Sequence, residues 1–430
     1  MMADAEGAPA GPAHRPRART GLLAAVIVLT PCFVFTPCFF TRCFAAAQAP
    51  ATLTLNEAIA RALEANRTVL ASRTARPIDV AGVGVAGERP NPDVAVEEDR
   101  ETPHLSVAGT VPIETAGKRG KRLAAARATL AVTDATIART AVQVRSDVRR
   151  AYYDAVASTR RLDIDQQLET VAGRARDAAR ERVQTGAAPR LEQLQAELAL
   201  ATAQNDSTLA RGDVAAARAS LNALLAFPAD AAPALADPLE AGPLPSRDQA
   251  IAVARRSNAD LLVLERQVDE ARARLQLAQA NRRPDPSVTG TFTYDSPPEF
   301  MYGWRLGMAI ALPIFTTGKP DVAAAQATVD HAVALRDALS GQIAGAVAAA
   351  VARAASARQA LDRYQHDILP ASVQVEQMAE ESYRSGQTGL PALLQALQNA
   401  REINLRALQA GIDYQTALTD LERAMGSPLE

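Results

Sequence analysis

The residues able to do chemistry in this 430-residue chain are few and poorly placed for it. The four histidines, His14, His104, His331 and His366, stand far apart and make no His-x-x-x-His pair. The three cysteines, Cys32, Cys38 and Cys43, all fall within the first 50 residues. No Cys or His cluster has the spacing of a metal cage. There is no phosphate-cradling glycine loop and no nucleophile elbow. The sequence therefore points away from an enzyme: it offers no catalytic residue, no cofactor and no metal site. A formal net charge of −2 gives no bulk attraction to nucleic acid. What stands out instead is a glycine–proline turn, Gly186 to Pro189, that the chain contains twice.

That turn belongs to a duplicated unit. The first copy runs from Val111-Pro112-Ile113-Glu114-Thr115-Ala116-Gly117-Lys118 to Thr185-Gly186-Ala187-Ala188-Pro189. The second runs from Leu312-Pro313-Ile314-Phe315-Thr316-Thr317-Gly318-Lys319 to Gln387-Thr388-Gly389-Leu390-Pro391. Gly117 and Gly318 are 201 residues apart, and Gly186 and Gly386 are 200 apart. The order strand, long helix, turn, returning helix therefore occurs twice at a nearly constant offset. Residues 50–228 form the first repeat, 229–245 a Pro- and Ala-rich linker, and 246–430 the second repeat.

Residues 1–49 read as a secretory signal peptide. Arg15, Arg17 and Arg19 precede an apolar run from Gly21 to Phe40, and Ala45-Ala46-Ala47 and Ala47-Gln48-Ala49 both fit a small-residue cleavage site. A retained membrane helix is one alternative, weakened by Pro31 and Pro37; a lipid-anchored cysteine is another, weakened by the Thr-Pro, Thr-Pro and Thr-Arg that precede the three cysteines. Beyond this segment no run reads as apolar enough to span as a helix, so a membrane role must come from strands. The mature chain would contain no cysteine and hence no disulfide.

Each repeat opens on a helix, Thr54 to Leu63 and Ser246 to Ala252. In the first repeat the run that follows is disturbed by Pro77, Gly82 and Gly84, which predicts a broken helix. Arg89-Pro90-Asn91-Pro92 and Arg283-Pro284-Asp285-Pro286 then stop the helices and start strands. In the second repeat Val288, Gly290, Phe292 and Tyr294 alternate with polar residues, and Trp304, Leu306, Met308, Ile310 and Leu312 do the same. A period of two with one apolar face is a half-buried strand. Each run approaches the about 9–11 residues of a tilted membrane strand. The first hairpin is shorter and carries the acidic tip Glu97-Glu98-Asp99-Arg100-Glu101. Lys121 to Gln184 is 64 residues without proline, roughly 95 Å of helix. Its counterpart, Asp321 to Ser385, has Pro370 as an expected kink. Aromatic residues are only 4% of the chain against 48% hydrophobic, which suits long helices packed through alanine.

Four strands leave open edges that hydrocarbon does not tolerate, so membrane-crossing strands demand several copies. At this point the residues resemble the TolC-type outer-membrane efflux protein family. The duplicated layout, the Pro-x-Pro strand starts, the Pro-Ile-x-x-x-Gly-Lys strand exits and the turns at Gly186 and Gly386 carry the resemblance, which covers Leu53 to the end. The run Val111 to Arg122 is most similar to the metal-exporting, CzcC-like branch. The resemblance implies a mainly α fold with a small transmembrane β part: tandem long α-helical hairpins plus four β-strands per chain. Three copies would close a 12-strand β-barrel and an α-helical barrel. It implies an outer-membrane location with a periplasmic tunnel, and docking to a periplasmic membrane-fusion adaptor and an inner-membrane RND-type pump. Nothing in it calls for nucleic acid.

On that reading Gly186, Pro189, Gly386, Gly389 and Pro391 form adaptor-contact tips, although a glycine ending a helix is also an ordinary cap. Some family members carry aspartates that narrow the entrance. The matching positions here hold Glu192 and Gln195 in the first repeat and Ala392 and Gln395 in the second, so Glu192, Gln195 and Gln395 are the candidate constriction. Glu192 is equally readable as a solvated helix carboxylate. Tyr294, Tyr302 and Trp304 are candidate membrane-interface aromatics, with hairpin packing as the alternative. Lys118, Arg119, Lys121 and Arg122 would anchor at lipid headgroups or simply be solvated. The function implied is a passive exit duct, with heavy-metal cations as cargo. Organic-solute efflux, or a non-channel periplasmic coiled-coil adaptor or spacer, are the other readings.

Overall fold

In a computed structural model of the chain, residues 51–101, 103–237, 243–296 and 300–429 are described. The expected signal peptide, residues 1–49, and the expected turn at 297–299 lie outside the described residues. The first repeat begins with a short strand β1 (Thr52–Leu53) and three helices, α1 (Leu55–Ala65), α2 (Arg67–Arg73) and α3 (Ala75–Gly87). Strands β2 (Asp93–Glu98) and β3 (Leu105–Pro112) lead into α4 (Lys118–Gln184) and the returning α5 (Arg190–Leu225). After β4 (Ala234–Leu235), the second repeat follows as α6 (Arg247–Ser257), α7 (Ala259–Asn281), β5 (Pro286–Ser296), β6 (Phe300–Ile310), α8 (Lys319–Arg363), α9 (Leu369–Arg384) and α10 (Leu390–Met425).

Helix α4 has 67 residues, about 100 Å at 1.5 Å per residue. It begins at Lys118 rather than Lys121, because Gly117 takes φ +67° and turns the chain straight from strand into helix. Helices α1 to α3 pack along one part of α4 and α5 along another. The break in the first repeat falls at Asn66 and Thr74. Pro77 sits in the first turn of α3, where no intrahelical partner is needed for its nitrogen, and Gly82 and Gly84 remain helical. In the second repeat Pro370 cannot donate to the carbonyl four residues earlier. The chain answers with a π turn at Tyr364–Ile368 between α8 and α9.

The two repeats are pinned alike. Thr54 and Ser246 cap α1 and α6 through reciprocal bonds with Glu57 and Gln249. Asn66 caps α2 and its amide donates to the Leu224 carbonyl at 2.9 Å; Asn258 caps α7 and donates to Ala424 at 2.9 Å. Each asparagine thus fixes the end of its returning helix. Around these joints lie matching cores: Ala58, Ala62, Val148, Leu221 and Leu225 in the first repeat, and Ala250, Ala254, Val347, Leu421 and Met425 in the second.

The linker contributes to structure at β4, which pairs parallel with β1. Both are held to α4 by the fully buried Tyr152, whose hydroxyl lies 2.8 Å from the Leu53 carbonyl and 2.9 Å from the Asp237 carboxylate. Burial, together with the Asp237 charge, pushes this phenol up to about 12.

The repeats meet along α4 and α10. Arg149 reaches Glu422 at 2.6 Å, and Arg401 reaches Asp165 at 2.8 Å and Asp206 at 3.0 Å. Arg401→Met is expected to leave the buried Asp165 carboxylate, only 2% exposed, without its cation. A loss on the order of 3–5 kcal/mol follows, measurable by thermal unfolding in detergent.

The four longer strands form one antiparallel sheet in the order β2-β3-β5-β6. One stretch corrects the expectation that no later run is apolar enough to span as a helix. Lys319–Arg384 contains an 18-residue window of mean hydropathy 1.3. Alanines supply much of that average, and α8 packs on α7 and α10.

Candidate functional site

Two regions hold the predicted residues, at the turns between long helices and on the sheet. Both turns are the same device. At the first, Gly186 takes φ +75°, the Ala187 N–H donates to the Arg182 carbonyl at 2.8 Å and the Gly186 N–H to Val183 at 3.1 Å. At the second, Gly386 takes φ +73° and Gln387 and Gly386 donate to Ser382 and Tyr383 at 2.9 and 3.0 Å. The left-handed glycine lets the chain close off the last carbonyls of each helix. Pro189 and Gly389 then occupy the extended position before α5 and α10, and Pro391 lies in the first turn of α10. All five predicted tip residues are exposed.

Glu192 is not an open carboxylate in the single chain. Its side chain is 12% exposed and lies 3.5 Å from the Arg182 guanidinium. It accepts a 2.9 Å bond from the Tyr383 hydroxyl. Arg182 also lies over the Tyr383 ring, 5.2 Å from its centroid. The contact joins α4 and α5 to α9 over a core of Ala179, Ala196, Leu390 and Leu393. Burial, reinforced by Glu192 as acceptor and charge, pushes the Tyr383 phenol up to about 12. The sequence reading missed both partners. A signal was present: Arg182 matches Ser382, Tyr383 matches Val183 and Glu192 matches Ala392, so the contact sits where the copies differ. Gln195 and Pro391 come together lining a groove of about 600 Å³ between α5 and α10. Gln395 is exposed and bonds Asn399 at 2.9 Å.

Tyr383→Phe removes a hydrogen bond to an ionised acceptor, worth about 1.5–3 kcal/mol. The variant is expected to hold α9 less firmly, raising open probability in single-channel recordings of the reconstituted protein. An unchanged recording would show that this contact does not govern opening.

On the sheet, register sorts side chains by face. Val96 stands opposite Val107, Val107 opposite Phe292 and Phe292 opposite Trp304. The same face carries Val94, Leu105, Val111, Val288, Tyr294, Tyr302, Leu306, Met308 and Ile310. The other face carries Ala108, Thr110, Thr289, Thr291, Thr293, Arg305 and Ala309. The apolar face is uncovered: Trp304 is 83% exposed and Met308 77%. Tyr294 and Tyr302 are directly opposed near the end of the β5–β6 pairing, whereas Trp304 is the fifth residue of β6 rather than at its end.

The basic run after β3 is bound within the protein. Lys118 pairs with Asp285 at 2.7 Å and Arg122 with Glu114 at 2.5 Å, Arg119 donates to the Gly87 carbonyl and Lys121 to Gln276. Asp285 also accepts from the Thr115 N–H at 2.7 Å and its hydroxyl at 2.9 Å. Desolvation acts to raise the Asp285 carboxyl, but the bonds from Lys118 and Thr115 outweigh it and hold it below its ordinary value. The junction's contribution is therefore present at neutral pH and fades as pH falls through the folded-state value.

Residues 58–226 and 250–427 match the outer membrane efflux protein family. The chain belongs to that family. It is an outer-membrane efflux channel protein, and its helical hairpins are the periplasmic tunnel. The cobalt-zinc-cadmium resistance protein CzcC of Cupriavidus metallidurans is 26% identical over 394 residues, 88% of this chain and 91% of CzcC. A membrane protein from Pseudomonas aeruginosa shares the fold with TM-score 0.72 at 19% identity, over 86% of this chain and 93% of that one. The open-state MtrE outer membrane channel of Neisseria gonorrhoeae shares it with TM-score 0.70 at 19% identity, over 87% and 89%. Among the described residues no group of three or more His, Cys, Asp or Glu is placed to hold a metal ion.

Proposed function

We propose that this outer-membrane channel is the passive exit duct of a tripartite system, with heavy-metal cations as its cargo. Three copies close the sheet into a 12-strand barrel and the helices into a tunnel. Gly186, Pro189, Gly386, Gly389 and Pro391 at the tips meet a periplasmic membrane-fusion adaptor, which links the duct to an inner-membrane RND-type pump. Tyr294, Tyr302 and Trp304 face lipid, and Glu192, Gln195 and Gln395 border the entrance. Residues 50–228 and 246–430 act as the two repeats, joined by 229–245 after removal of 1–49.

The observation that carries the duct is the combination of an uncovered apolar sheet face with helices about 100 Å long ending in two equivalent exposed turns. The metal cargo is supported by the extent of similarity to a cobalt-zinc-cadmium resistance protein. Growth of a deletion strain on Zn, Co, Cd, Ni, Cu and Ag salts, beside organic toxicants and antibiotics, tests it. Hypersensitivity confined to metals is the expected result. Sensitivity to organics with metal tolerance unchanged would overturn the metal reading and leave the duct.

A further inference from the structure

The chain contains a worked example of how its two repeats join. The end of repeat one docks on the start of repeat two: β3 pairs antiparallel with β5, Pro112 opposite Ser287 and Val107 opposite Phe292. Where these strands meet the helices, Thr115 and Lys118 close on Asp285. The sheet then ends on β6 at one edge and β2 at the other. The end of repeat two has the same elements as the end of repeat one. Pro313, Thr316 and Lys319 match Pro112, Thr115 and Lys118, and Gly318 takes φ +63° where Gly117 takes +67°. The start of repeat one has Pro90-Asn91-Pro92 where repeat two has Pro284-Asp285-Pro286. The strap after β6 is open: Leu312 is 67% exposed, Ile314 71% and Phe315 98%.

We propose that β6 of one copy pairs antiparallel with β2 of the next in the internal repeat's register, Ile310 opposite Val96, with Thr316 and Lys319 of the first copy closing on Asn91 of the second. This rests on the three-copy duct. The register comes from transferring the β3–β5 pairing through the equivalences Pro112 to Pro313 and Ser287 to Asp93. It then meets two conditions that were not used to obtain it. First, it places Leu312 beside Val94 and Ile310 beside Val96, so the apolar face continues across the joint; a slip of one residue would invert every side chain.

Second, it closes a barrel of ordinary geometry. The row through Val96 reaches Trp304 on β6, and the next Val96 then stands at Ile310, about six residues further along. Three copies accumulate a stagger of about 18 residues over about 12 strands. With a rise of ~3.3 Å and a spacing of ~4.8 Å the strands tilt by about 46°, just past the upper end of the usual ~35–45°. A two-residue shift one way gives about 54°, too steep. The other way gives about 35°, which makes that register the competitor to test. The joint also differs from the internal one in charge. Asn91 offers Lys319 an amide oxygen where Asp285 offers Lys118 a carboxylate, so the contact between copies is the weaker of the two.

Every natural cysteine precedes residue 50, so paired cysteines report cleanly. Val96 and Ile310 sit on opposite edges of one sheet and cannot cross-link within a chain. Oxidation of outer membranes carrying Val96→Cys with Ile310→Cys is expected to give covalent dimers and trimers in denaturing gels. Val96→Cys with Met308→Cys, or with Leu312→Cys, should give at least tenfold less. Equal or stronger linking by either control overturns the register. No linking by any pair, in protein that native mass spectrometry shows to be trimeric, overturns the edge pairing and spares the three-copy duct; a monomer in that measurement overturns both. Independently, Asn91→Asp should raise the temperature at which the detergent-solubilised trimer dissociates, and adding Lys319→Gln should cancel the rise. No rise in the single variant would overturn the proposed Asn91 contact.

Discussion

Leu306→Arg is expected to abolish accumulation of the protein in the outer membrane. Leu306 lies on the apolar face of β6, opposite Gly290, and is 70% exposed in the single chain. An arginine on the lipid face of a barrel near the bilayer midplane costs about 2–4 kcal/mol. A symmetric trimer incurs it three times, roughly 6–12 kcal/mol per assembly, which is comparable to the whole stability of an ordinary domain. The matched control is Thr289→Lys on the opposite face. It forfeits one hydroxyl contact with Thr110 at 3.0 Å and places its charge on the face that already carries Arg305. Membrane fractionation should therefore recover Thr289→Lys at close to the wild-type level and almost no Leu306→Arg. Equal recovery of both would mean the faces are assigned wrongly.

Gly426→Ala should be the most damaging single-methyl change in the helical part. Gly426 ends α10 at φ +75°, and a Cβ there would stand 2.0 Å from the Ser257 carbonyl oxygen and 2.7 Å from the Asn258 Cα. These are backbone atoms at the joint where Ser257 and Asn258 bond the Met425 and Ala424 carbonyls at 2.9 Å. They cannot swing aside as a side-chain end would. Left-handed backbone costs a residue with a Cβ about 1–2 kcal/mol, and displacing the joint brings the total to the order of 3–5 kcal/mol. The equivalent position in the first repeat is Ala226, which adopts φ +54° with its methyl in place. Ala226→Gly should shift stability by less than about 1 kcal/mol. Thermal unfolding of the two purified variants checks the contrast.

The contrast between positions 226 and 426 also shows what local sequence carries. The repeat and the second hairpin were legible because each has a period, 200 or 201 residues for the repeat and two for β5 and β6, and the long helices because their alanine-rich runs are almost free of proline. The first hairpin was fainter because Val94 and Val96 run into an acidic tip and β2 has only six residues. Helix limits were displaced by a few residues where a single φ value decides them, as at Gly117. The tip residues were findable as a duplicated turn. What Glu192 touches was not, since Tyr383 lies 191 residues away in sequence and no local pattern encodes so distant a contact. The basic run after β3 misled in part for the same reason, since the partner of Lys118 lies 167 residues away, whereas Arg122 takes the nearby Glu114. Lys118 and Arg122 read as a solvated or lipid-facing cluster until Asp285 and Glu114 are seen beside them. The asymmetries between the copies, Arg182 against Ser382, Tyr383 against Val183 and Asp285 against Asn91, mark such contacts, and they emerge only when the repeats are aligned residue by residue.

The central claim is that the hairpin tips face the cell exterior while the helix turns face the periplasm. Cysteine labelling on intact cells tests it most directly, with Asp99→Cys at the first hairpin tip and Ala187→Cys at the first helix turn, in a chain whose own cysteines all precede residue 50. A bulky, membrane-impermeant maleimide should label position 99 on intact cells and position 187 only after the outer membrane is permeabilised. Labelling of position 187 on intact cells, with position 99 protected, would contradict the orientation and the channel built on it.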